Sequence, residues 1–75
     1  MNAQRRKQLN KIRESLDCLI VELDQVKDDE EEAYENMPES LQESERGQLM
    51  YENVDKLEDI VNELQNQLGE LEDVE

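Results

Sequence analysis

The stretch Asn36-Met37-Pro38-Glu39-Ser40-Leu41-Gln42-Glu43-Ser44-Glu45-Arg46-Gly47 decides how this chain folds. Pro38 disfavours the α region at Met37, so a helix arriving from the N-terminal side should stop near Asn36. Ser40-Leu41-Gln42-Glu43 has the form of a capping box, and Ser44 is a second N-cap candidate. These signals predict one short helical turn over residues 38–42 and a second long helix from about Ser44. Leu41, the only bulky apolar residue inside the linker, is expected to cover the end of a core.

Working outward, both flanks carry heptads. On the N-terminal side Leu9, Ile12, Leu16, Leu19, Leu23, Val26, Ala33 and Met37 recur in alternating steps of three and four, interrupted only by Glu30. Position a takes Leu9, Leu16, Leu23, Glu30 and Met37; position d takes Ile12, Leu19, Val26 and Ala33. On the C-terminal side Met50, Leu57, Leu64 and Leu71 occupy d, and Val54, Val61 and Leu68 occupy a. Two-residue alternation is absent, so strands are not expected. The prediction is an all-α fold in a single domain, residues 1–75: an antiparallel two-helix coiled-coil hairpin with helices at about 3–36 and 44–72 and linker 37–47.

The two patterns match in antiparallel register. Leu16, Leu23 and Glu30 face Leu68, Val61 and Val54 at an index sum of 84, and the d residues face each other at 83. At the flanking e positions this register sets Arg13 against Glu72, Lys27 against Glu58 and Tyr34 against Tyr51, and it places Met37 opposite Gly47. Glu30 sits in the seam, where its stem is expected to pack while its carboxylate snorkels to water.

Charge is unevenly spread. The chain holds 22 acidic and 8 basic residues, a net charge of −14. Arg5, Arg6, Lys7, Lys11 and Arg13 open it without an acid among them, and Asp28–Glu32 is an unbroken acidic run. Both placements oppose the macrodipole of the first helix. Pairing eases this by laying the basic start beside the acidic end of the second helix, Glu70–Glu75. With no histidine, no nucleophile beside a base and no glycine-rich phosphate loop, no catalytic residue, cofactor or metal ligand is expected. The single cysteine, Cys18, permits no internal disulfide, and the longest apolar run has four residues, so a soluble cytoplasmic protein without a membrane span is expected.

The linker, with its N-x-PESLQ-x-SERG pattern at residues 36–47, resembles that of small acidic uncharacterised helical proteins from Gram-positive bacteria, their phages and mobile elements. The likeness extends to the flanks, basic first and rich in Glu, Leu and Ile last. It implies a mobile-element accessory protein and assigns no residue a role.

Two surfaces follow. Asp28, Asp29, Glu31, Glu32, Glu35, Glu39 and Glu43, joined by Glu45, Glu52, Asp55 and Asp59, make the linker half intensely negative; the first seven are the expected surface for a basic or nucleic-acid-binding protein rather than for nucleic acid itself. A helical rod with closely spaced carboxylates can imitate the phosphate charge of DNA, so the expected function is a non-catalytic DNA-mimicking inhibitor. The alternative is an adaptor acting through its coiled-coil faces. Ile20, Tyr34, Tyr51 and Ile60 lie outside the seam and are the expected self-association residues of a homodimer, a four-helix bundle.

Overall fold

A computed structural model describes all residues from Met1 to Glu75. The chain is all-helical and elongated, 59 Å in its longest dimension and 13–15 Å across. Helix α1 spans Ala3–Glu35, α2 is a single turn, Glu39–Gln42, and α3 spans Glu45–Glu72. Helices α1 and α3 pack side by side in opposite directions: Arg13 reaches Leu71 and Tyr34 touches Tyr51, at index sums of 84 and 85. The antiparallel pairing read from the heptads is observed, with Tyr34 meeting Tyr51 as the e–e register set them, but the d–d pairing is not, since Ile12, Leu19 and Val26 are exposed.

The helix ends are held by the groups that local chemistry favours. Asn2 Oδ1 accepts from the Arg5 N–H at 2.8 Å and caps α1. Ser44 Oγ accepts from the Gly47 N–H at 3.2 Å and caps α3, while donating to the Leu41 carbonyl. Ser40 plays no such part: the turn before α2 begins at Pro38, with no side-chain cap, so the Ser40–Glu43 capping box does not form. The C-terminus of α1 has no basic residue in its last turn. Its carbonyls are served by Gln42 instead, whose Nε2 donates to Tyr34 O at 3.0 Å and Met37 O at 3.2 Å. Gln42→Ala should lower unfolding free energy by about 1 kcal/mol, measured by urea denaturation, and Gln42→Glu should cost more because it aims a carboxylate at those carbonyls.

The open end of the hairpin is closed by Arg13. Its Nε donates to Leu71 O at 3.0 Å and its Nη2 donates to both Leu71 O and Val74 O. Sequence register set Arg13 against Glu72; the guanidinium instead takes Leu71 O in the last turn of α3 and Val74 O just beyond it, at the negative end of the helix dipole. Lys27, expected opposite Glu58, stays on its own helix and pairs with Asp28 at 2.7 Å and Asp24 at 3.5 Å.

The core lies off the expected line on α1. The buried hydrophobics are Ile20, Val61 and Leu68, with Leu16, Leu23 and Leu64 packed against them. On α3 this is the a/d stripe, as read from the sequence. On α1 it is a with e: Ile20 is 3% exposed, whereas the d residues Ile12, Leu19 and Val26 are 56%, 58% and 55% exposed. On α1 the d and a lines are apolar and e adds Ile20 and Tyr34 between Arg13 and Lys27, and one partner helix covers only two of these lines. The e side wins because it also brings Arg13 to the α3 carbonyls and Tyr34 to Tyr51. Ile20 is therefore a core residue and not available to a second chain.

Candidate interaction surface

The hairpin has two distinct flanks, and the acidic one is built from both helices at the turn half. Residues 28–59 carry 13 carboxylates against two cations, Arg46 and Lys56, a net −11. At 1.5 Å rise, the α3 part of this region, residues 45–59, extends about 22 Å, so there is about one net charge per 2 Å of rod. Duplex DNA presents one per about 1.7 Å. The match in linear charge density is close.

Within this half, Tyr34 and Tyr51 lie with ring centroids 5.8 Å apart at an interplanar angle of 57°, a tilted contact of the kind aromatic quadrupoles favour. Beside them is a depression of about 220 Å³ lined by Glu31 and Glu35 from α1 and by Asp55, Glu58 and Val54 from α3. The e–e register puts the two tyrosines together, and positions b and f of α1 with b and e of α3 put carboxylates around them. Tyr34 is half-buried and Tyr51 is exposed. The four carboxylates engage no cation: both ion pairs of the molecule belong to Lys27. The Lys27 ammonium is held above its ordinary range, chiefly because Asp28 accepts its hydrogen bond, with further support from the charges of Asp28, Asp24 and Glu31 against a desolvation effect of opposite sign.

The seven acids singled out in the sequence fall into unequal settings. Glu31 and Glu35 line the depression. Asp28 is engaged by Lys27 and Asp29 accepts from Gln25 at 3.1 Å. Glu32 is exposed on α1, Glu39 opens α2, and Glu43 closes it. Asp55, counted in the acidic half from the sequence, lines the same depression, as does Glu58, which the sequence register set opposite Lys27. No three His, Cys, Asp or Glu side chains are gathered closely enough to hold a metal. Glu30 is half-buried in the seam, and no buried side-chain polar atom lacks a partner.

What the depression offers chemically is a seat for a long basic side chain. A guanidinium or ammonium entering it would meet two aromatic rings and carboxylates from two directions, combining cation–π attraction with charge pairing. No helix is long and apolar enough to cross a membrane. No family model, no curated protein and no solved structure matches the chain.

Proposed function

We propose that this chain is a non-catalytic binding module whose turn half occupies the basic, nucleic-acid-binding surface of another protein. It acts there as a charge mimic of DNA, an inhibitor of the kind a phage or mobile element would direct at a host nuclease. The observation that carries the reading is the un-neutralised carboxylate frame around Tyr34 and Tyr51, contributed by α1 and α3 together. A solvated charged face used only for solubility would not require tyrosines at its centre. The resemblance of the linker to acidic proteins of mobile elements points the same way.

The test is affinity capture from the native host at low and moderate salt. Expected is retention of nucleic-acid-binding proteins at low salt, release as screening shortens the reach of the charges, and competition by added duplex DNA. Glu31→Lys, Glu32→Lys and Glu35→Lys together change the net charge from −14 to −8 and should abolish capture while leaving the helical spectrum unchanged. Binding that ignores salt and survives the reversal, but is lost on Tyr51→Ala, would replace the mimicry reading by the adaptor reading.

A further inference from the structure

The flank opposite the tyrosines is apolar and uncovered. Ile12, Leu19 and Val26 repeat at seven-residue spacing along α1, each more than half exposed, and Ile60 is exposed on the same side of α3 beside the half-exposed Leu57 and Leu64. The groove along α1 at Lys11, Ile12, Ser15, Leu16 and Leu19 is open. The accessible surface is 6067 Å², where a compact monomer of 8.9 kDa would expose about 4,800 Å². The excess, about 1,300 Å², exceeds the roughly 800 Å² per partner that a standard stable interface removes.

We propose that a second copy of this chain covers this flank, with the two α1 helices antiparallel about a twofold axis at Leu19. Charge decides the occupant and its direction. Residues 3–8 of α1, all exposed, run past the end of α3 and carry Arg5, Arg6 and Lys7. Arg5 continues the d line of Ile12, Leu19 and Val26. A twofold at Leu19 pairs Ile12 with Val26 of the other copy and sets Arg5 of each beside Asp29 and Glu32 of the other. A parallel pair would lay basic start on basic start and acidic run on acidic run. The antiparallel pair thereby answers the reversed charge order of α1, which the hairpin itself leaves uncompensated: Arg5, Arg6, Lys7 and Lys11 form no ion pair within the chain. It leaves Glu31, Glu35, Tyr34 and Tyr51 facing away, free for a different partner.

Light scattering at high micromolar concentration should give twice the 8.9 kDa chain mass. Leu19→Asp should halve that mass with helicity retained, because Leu19 contributes nothing to the core of its own hairpin. For orientation, Ile12→Cys and Val26→Cys chains, each also carrying Cys18→Ser, are mixed and oxidised. The mixed 12–26 disulfide should dominate. A single-chain mass for the wild type, a dimer that survives Leu19→Asp, or predominance of 12–12 and 26–26 disulfides would each overturn the proposal. The substituted residues, Leu19, Ile12 and Val26, lie off the depression around Tyr34 and Tyr51, so failure of partner capture by the wild-type chain leaves these readouts standing, and the reverse.

Discussion

Gly47→Ala should destabilise the hairpin by 3 kcal/mol or more, on the order of a large core truncation, read as a fall in the urea midpoint followed by helical circular dichroism. In isolation the substitution favours a helix, since alanine exceeds glycine by about 1 kcal/mol in a helix interior. No glycine of this chain has a positive φ, so Gly47 is not there for its conformational freedom. It is there for space. A Cβ at position 47 would collide with the carbonyl oxygens of Leu41 and Gln42 and with the Gln42 carbonyl carbon. These are backbone atoms of the turn that delivers the chain into α3, and they cannot swing aside as a flexible side chain would. Relief would require α2 to lift off α3, removing the Ser44 cap and the Gln42 bonds to the end of α1. The control is Gly69, in the last turns of the same helix, where a Cβ meets open space. Gly69→Ala should stabilise by up to about 1 kcal/mol. Opposite signs for one substitution at two helical glycines would establish close approach as the cause. A neutral or stabilising Gly47→Ala would refute it.

Ile20→Ala should cost about 2–4 kcal/mol, and Leu19→Ala, one residue away, should cost the isolated hairpin under about 0.5 kcal/mol. Measured in dilute solution, where self-association does not contribute, the pair discriminates between the a/d and a/e seams on α1. With three buried hydrophobics in the whole chain, each is a large fraction of the available core. Ile20 contacts α3 near Val61 and Leu68, so its truncation leaves a gap between two long helices that few neighbours can fill. If Leu19→Ala proved the costlier change, the observed rotation of α1 about its own axis would be wrong.

That rotation also marks the limit of what the sequence disclosed. Helix positions, the short turn between them, the Ser44 cap and the antiparallel register were legible, because each depends on local signals or on spacing that two helices must share. The choice between d and e on α1 was not. The d line, Ile12, Leu19, Val26 and Ala33, is the more apolar, since e holds Arg13 and Lys27 beside Ile20 and Tyr34, so a heptad favours d. Of the deciding contacts the register contained the meeting of the two rings but not an arginine reaching two carbonyls. The same blindness affected charge. Opposed letters at e suggested Arg13–Glu72 and Lys27–Glu58, yet carbonyls at the end of α3 and carboxylates near Lys27 on its own helix were the better partners. Of the acidic surface, the α1 part was legible as a run of letters. Its α3 part was legible as charge, Asp55 included; that Asp55 and Glu58 join Glu31 and Glu35 around the tyrosines emerges only when the two helices are laid together.

Four buried residues among 75 leave this fold unusually free to drift. Outside Gly47, the seam and the capping side chains, most positions face water, and a lineage could exchange nearly all of them by single steps without passing through an unfolded intermediate. What selection on such a chain can retain is a rhythm and a polarity: apolar steps of three and four, a proline nine residues before a caged glycine, basic charge at one end and acid at the other. Descendants of a common ancestor would thus be recognised by that score of spacing and sign long after letter-by-letter identity had decayed.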